Sequence, residues 1–275
     1  MFLLTSGAAG LLRRCGTAST RALPRQRTLS RRTLLTRKGD PVRCSSLDHA
    51  VAVVNHNDRV YVHGIAAVPT DMLQALSRRS DLRNVQLCHL HLEEKNPCDD
   101  PSLRSSFYTS HFFVGKRARS SVAQGTGHYI PVFLSEVPAL MRRGILPIDV
   151  ALLNVSPPDR HGYCSLGTEV AGAYPAAETA KIVVAQINPS MPRTFGSSQI
   201  HISAIDYVVE HDEPLPVVHA HISSDVERRI GAQIAELVPD GATLQMGIGA
   251  IPDAVLSGLH NHKDLGIHVS RITYL

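Results

Sequence analysis

The sequence predicts an α/β fold, an open, parallel-rich sheet domain followed by an incomplete second α/β domain. Three observations predict it. Short β-branched runs alternate with segments of helical period, the order that builds strand-helix-strand units around a parallel sheet. The run 148–155, IDVALLNV, is apolar almost throughout rather than at every second position, which is how a strand covered on both faces reads. Near the carboxyl end, 243–252, TLQMGIGAIP, reads as a strand that breaks into a glycine loop, with Pro252 opening a helix.

Taken in order, residues 59–63 and 84–92 read as strands, and between them Thr70-Asp71 cap a helix that runs to Arg78. Segment 99–127 mixes Phe107, Tyr108, Phe112 and Phe113 with Arg104, Lys116, Arg117 and Arg119, and is expected to hold loop and one strand. Ser135-Glu136 open a helix that Gly144 ends, and the strand 148–155 follows. Two further buried strands are expected at 181–187 and 205–209. Residues 210–224 turn polar, carry Pro214 and Pro216, and read as a linker. Ser223 or Ser224 then caps an amphipathic helix with Val226, Ile230, Ile234 and Leu237 on one face. Asp240-Gly241 turn that helix into the strand and glycine loop, and the next strand is expected near Leu265. No internal repeat is evident along this path.

At 275 residues and 43% hydrophobic content, the chain can build a core of one large or two ordinary domains. No run approaches the ~20 apolar residues that a membrane helix needs. The net charge of +4 is unevenly spread: the first 39 residues hold eight Arg, one Lys and no acid, leaving 19 basic and 24 acidic residues in the rest. That Arg-, Ser- and Leu-rich opening, with Arg13 and Arg14 after the apolar stretch, has the composition of a mitochondrial transit peptide. Residues 1–44 are therefore expected to be a disordered leader and the mature protein to reside in the mitochondrial matrix. A basic nucleic-acid-binding arm is the alternative, and the acidic remainder argues against it. Cys15, Cys44, Cys88, Cys98 and Cys164 show no paired spacing and read as reduced thiols.

Three His-x-His pairs, His89/His91, His219/His221 and His260/His262, would each share a face on a strand, yet none has a third ligand nearby in sequence, so no metal site is expected. The segment 156–167, SPPDRHGYCSLG, follows the apolar strand directly and reads as a functional loop at the strand's carboxyl end, with a rigid turn as the plainer alternative. Within it, His161 and Cys164 form a conceivable nucleophilic pair, although a spacing of three in a loop does not fix thiol-imidazole geometry. The glycine loop at 247–252 would aim free backbone amides at an anionic or thioester-bearing ligand. It lacks the third glycine of a dinucleotide fingerprint, which argues against nicotinamide chemistry.

Together with 128–138 (HYIPVFLSEVP), the segments 156–167, 187–206 (INPSMPRTFGSSQIHISAID) and 240–259 (DGATLQMGIGAIPDAVLSGL) closely resemble the acetyl-CoA hydrolase/transferase family, which includes acetate and 4-hydroxybutyrate CoA-transferases. The resemblance covers roughly residues 48–268. It implies a sheet domain of CoA-transferase type at 45–222 and the start of a C-terminal, CoA-binding domain at 223–275. Ile248, Gly249, Ala250, Ile251 and Pro252 are implied to contact the CoA thioester. Coenzyme A and acyl-CoA are then substrates rather than bound cofactors, with acetate or another small carboxylate as acceptor.

The family's nucleophile is a glutamate that attacks the thioester to give an acyl-glutamyl anhydride and then a glutamyl-CoA thioester. The resemblance places Ser270 at that position, so no catalytic residue is assigned and turnover is not expected. An incomplete second domain is also expected to be loosely docked or aggregation-prone. The implied function is a mitochondrial acyl-CoA:carboxylate CoA-transferase, inactive in this form. The rival is a non-catalytic acyl-CoA-binding protein that associates with full-length subunits, homo-oligomers being a further expectation.

Overall fold

The computed structural model describes residues 39–217 and 222–268. The expected leader up to residue 38, the His219/His221 pair and Ser270 lie outside the described residues. The chain divides into two compact units, Met1–Leu215 and Pro216–Leu275.

The first unit is built on eight strands: β1 (Val42–Arg43), β2 (Arg59–Val62), β3 (Val85–His89), β4 (Phe107–His111), β5 (Gly127–Tyr129), β6 (Val150–Val155), β8 (Ile182–Ile187) and β10 (Tyr207–Glu210). Their order across the sheet is β1-β10-β8-β6-β2-β3-β4-β5, and every neighbouring pair is parallel. Two short strands outside it, β7 (Tyr163–Ser165) and β9 (Gln199–His201), form an antiparallel ribbon.

Alternation along the strands distributes the core over two faces. Tyr61, Cys88, Ala151, Leu153, Val183 and Ala185 point to one face and pack with helices α4 (Val137–Arg142) and α5 (Ala173–Thr179). Val60, Val62, Leu87, Val150, Leu152 and Val184 point to the other and pack with α1 (Leu47–Val51) and α2 (Thr70–Ser77). All six residues of β6 are buried, as its unbroken apolar run predicts. Each large aliphatic side chain removed from water here contributes roughly 1.5–3 kcal/mol.

Several expectations are corrected in detail. Val42 and Arg43, assigned to the leader, pair with β10 (Tyr207 and Val208). Cys44 adds a backbone bond to the Val208 carbonyl at 2.7 Å. Thr70 is the first residue of α2 rather than its cap; Pro69 holds the cap position and offers no side-chain hydrogen bond. Segment 99–127 contains β4 as expected and also helix α3 (Arg119–Ala123), whose sequence RSSVA has neither an apolar period nor a side-chain cap to announce it. Gly144 does end α4, at φ 67°, where a Cβ would be strained. The polar stretch 210–217 is not all linker, because Glu213 is buried and its backbone is clasped by Asn188.

The second unit is an α/β fragment: α6 (Asp225–Ala235), β11 (Thr243–Leu244), α7 (Ala250–Gly258) and β12 (Gly266–Ile267), the two strands pairing in parallel. Ser224 and Glu227 form the capping box that starts α6. The apolar stripe expected to be buried is not: Val226 is 63% and Leu237 81% exposed. Gly231 and Ala235 form the buried face, because small residues let the helices approach until a Cβ on Gly231 would lie 2.6 Å from the Ala254 carbonyl carbon. Among the described residues the unit's own core is small, with Ala235, Ala254, Val255 and Leu259 buried beside partly buried neighbours.

Candidate functional site

From β2 the chain steps outward through β3, β4 and β5, then returns with β6 to the opposite side of β2 and steps outward again through β8 and β10. The reversal falls between β2 and β6, and the carboxyl ends of the strands at such a point are where open α/β sheets bind ligands. Residues 63–69 leave β2 there. Ile65 adopts φ 57°, a conformation that a β-branched side chain rarely takes and that marks stored strain. Its amide donates to the His91 carbonyl at 2.7 Å, and it bridges in parallel to Leu92.

Beneath this loop lies a layer of buried polar groups. His63 Nδ1 accepts the Asn154 amide at 3.1 Å, so Nε2 carries the proton and donates to the Glu169 carbonyl at 2.8 Å. The Glu169 carboxylate accepts Tyr61 Oη at 3.0 Å and the Gly172 amide at 2.7 Å. Burial lowers the imidazole of His63 below its ordinary value and raises the Tyr61 phenol well above its own. The network is thus neutral at His63 and fixed in direction, suited to holding a backbone loop rather than to exchanging protons. On the α2 side of the sheet, Gln186 Nε2 donates to Glu213 at 2.8 Å. Both side-chain amide atoms of Asn154, and Gln186 Oε1, are buried without a partner among the described residues.

The residues singled out from sequence fare differently. Segment 156–167 does stand at the carboxyl end of β6, but much of it is pinned. Asp159 accepts the His161 and Tyr163 amides at 2.8 and 2.9 Å and pairs with Arg193 at 3.2 Å. The Cys164-His161 pair is not formed. Cys164 is wholly buried on β7, where burial pushes its thiol up to about 12, while His161 is exposed and its ring accepts from Arg160 Nε at 3.0 Å. His89 and His91 also part company: His89 is buried edge-on to His111, with ring centroids 4.9 Å apart, and His91 packs on Phe113. His260 and His262 lie in the turn after α7, not on a strand.

In the second unit, 247–252 leads into α7 as expected, with a shifted start. The helix begins at Ala250, so Pro252 is its third residue, and Gly249 caps it at φ 136°, a value open only to glycine. Ile248 is 77% exposed and Ile251 42%, leaving this turn accessible. Comparison of the two units exposes a repeat that the linear reading overlooked. Gly64-Ile65-Ala66-Ala67-Val68-Pro69 and Gly247-Ile248-Gly249-Ala250-Ile251-Pro252 share the pattern G-I-x-A-x-P, and each joins a strand to a helix. The repeated pattern was the available sequence signal for the loop at 64–69.

Residues 37–219 match the family model of the acetyl-CoA hydrolase/transferase N-terminal domain. The chain is 43% identical over 222 residues to a 4-hydroxybutyrate coenzyme A transferase of Clostridium kluyveri, an alignment covering 80% of this chain and 52% of that protein. It is 40% identical over 232 residues to a succinyl-CoA:acetate/propanoyl-CoA:succinate CoA transferase of Fasciola hepatica, covering 83% and 48% respectively. Among solved structures, a 4-hydroxybutyrate CoA-transferase from Porphyromonas gingivalis superposes with TM-score 0.70 at 38% identity, covering 82% of this chain and 53% of the other. RipA from Yersinia pestis does so with TM-score 0.74 at 30% identity, covering 81% and 55%. The chain spans about half the length of the curated relatives it matches. A parallel sheet with its loop at the reversal point, and a family match that takes in nearly all of that sheet, lead to one assignment: the chain belongs to the acetyl-CoA hydrolase/transferase family.

Proposed function

We propose that this chain carries the first domain, and the opening of the second, of a mitochondrial acyl-CoA:carboxylate CoA-transferase. The observation that carries this reading is the 43% identity over 222 residues to a 4-hydroxybutyrate coenzyme A transferase. The strained loop at 64–69 and the accessible turn at 247–252 support it, since both present backbone at the end of a strand where a thioester or carboxylate would be held. Ile248, Gly249, Ala250, Ile251 and Pro252 are the residues assigned to the CoA thioester. The acid-free, Arg-rich opening supports delivery to the mitochondrial matrix.

Transfer in this family needs a carboxylate nucleophile, and Ser270 holds its place here. A serine hydroxyl can at most give an ester and never the acyl anhydride from which CoA is passed on, so this chain is proposed to lack turnover. The second reading, a non-catalytic acyl-CoA-binding form that associates with full-length subunits, is favoured by the complete two-faced core of the first unit. Intact-mass spectrometry after incubation with acetyl-CoA, beside an acetate exchange assay, tests the proposal. Unmodified protein without exchange is the expected result. A CoA-sized adduct with turnover would overturn the inactivity, and failure of an imported precursor to shorten in isolated mitochondria would overturn the location.

A further inference from the structure

We propose that Asp71, His211 and Glu213 form a site for a divalent transition metal ion. Asp71 stands in the first turn of α2, whereas His211 and Glu213 follow β10, so the fold brings together residues 140 positions apart in the chain. One ligand atom from each lies within 4.8 Å of those of the other two. His211 Nε2 is 2.7 Å from Asp71 Oδ2, and Glu213 Oε1 accepts the Asp71 amide at 3.2 Å.

Charge and burial favour an ion here. Glu213 is only 7% exposed, and its second oxygen is met by the neutral amide of Gln186 at 2.8 Å. Among the described residues neither carboxylate pairs with a lysine or arginine. A buried carboxylate beside another acid is costly without a cation, and His211 alone offers one only when protonated.

An independent observation points the same way. Gln186 Oε1, on the amide that holds Glu213, is fully buried and has no donor among the described residues. Water bound to an ion at Glu213 would supply that donor. The positions of the ligands are also fixed: Asn188 binds both the amide and the carbonyl of Glu213, at 3.2 and 2.7 Å. His211 and Asp71 remain partly exposed, so an ion has a path in from solvent.

One imidazole nitrogen with two carboxylate oxygens selects a borderline ion such as Zn²⁺ over Mg²⁺ or Ca²⁺, which take oxygen ligands. His211 alone of the three also lines a cavity of about 440 Å³ with Pro157, Pro158, Ile187 and Ile202, so an ion held here would stand beside that cavity. It would tie the start of α2, and with it the strained loop at 64–69, to the chain leaving β10.

The test is calorimetric titration of the chelator-stripped full chain with Zn²⁺, repeated for His211→Gln, Glu213→Gln and, as a control, the exposed His128→Gln. Circular dichroism of each variant establishes that it is folded. One ion per chain is expected, with affinity falling roughly 100-fold or more in the first two variants and unchanged in the control. Equal affinity in His211→Gln and wild type, or equal loss in His128→Gln, overturns the proposal. Should Glu213→Gln prove unfolded, His211→Gln, whose side chain is a third exposed, decides alone.

Discussion

His63 donates its Nε2 proton to the carbonyl oxygen of Glu169 at 2.8 Å while its Nδ1 receives the amide of Asn154 at 3.1 Å, which locks one neutral tautomer between two strands and a loop. Protonating that ring would set a second N–H against the Asn154 amide. The arrangement ties the fold to the protonation of its buried histidines.

Acid should therefore destabilise the first unit well before its carboxylates titrate. Burial, with a smaller contribution from His128, lowers His111 to about 4, and burial lowers His63 and His89 below the ordinary imidazole value of about 6.5. As pH falls from 6.5 the unfolded chain binds these protons and the native one does not, so stability rises with pH across this window and is lost below it. The urea midpoint is expected to be flat from pH 7 to 8 and to fall steadily from pH 7 to 5. An unchanged midpoint at pH 5 would contradict the assignment of neutral buried imidazoles.

Glu169→Ala should cost far more than its position in a loop suggests. It leaves the buried Tyr61 hydroxyl and the Gly172 amide without their acceptor, a loss of about 2–5 kcal/mol. Tyr61→Phe removes one hydrogen bond and should cost about 1–3 kcal/mol. Urea unfolding of both variants, read from the midpoints at constant slope, checks the order; equal costs would show that Glu169 acts only through Tyr61.

Gly231→Ala is expected to unfold the second unit selectively. The added Cβ meets backbone of α7 at 2.6 Å, in a unit with a small buried apolar core among the described residues. Limited proteolysis should then degrade residues 216–275 faster than in wild type and leave a fragment ending near Leu215. A wild-type fragment that resists digestion through Leu259 would show that the second unit is sturdier than its core suggests.

Native-state alkylation should discriminate among the cysteines. Cys88 and Cys164 are pushed by burial to about 12 and Cys98 is raised as well, whereas Cys44 is only half-buried. Brief treatment with iodoacetamide at pH 8, followed by peptide mapping, is expected to modify Cys44 and spare Cys88, Cys98 and Cys164. Rapid modification of Cys164 would reopen its role as a nucleophile.

Much of the parallel sheet was legible because buried parallel strands carry their signal in a continuous apolar run, as at 150–155 and 182–187. The capping box at Ser224 was legible for a similar reason, being a local hydrogen-bonding pattern. What escaped was decided at a distance. The face of α6 is chosen by how closely Gly231 can approach Ala254, so the larger stripe of Val226 and Leu237 misled. Asp71 looked like part of a cap because its partners, His211 and Glu213, arrive from the other end of the unit. Ile65 was passed over because strain is a property of φ, and nothing in an isoleucine announces it. The family's functional segments were legible as a set, since their order along the chain carried more information than any one loop.

The two-residue strand β1 sets a limit on how far the amino terminus can be trimmed. Val42 and Arg43 supply the outermost rung of the sheet, and Arg43 also reaches Glu210 at 2.9 Å. A processing protease that cuts before Asp40 leaves this rung in place. One that cuts a few residues later strips the cover from β10 and lays bare a row of unpaired backbone groups, the template on which chains associate edge to edge. If a leader is removed as proposed, the cut is thus constrained by the sheet's need for a border as well as by the specificity of the protease that makes it.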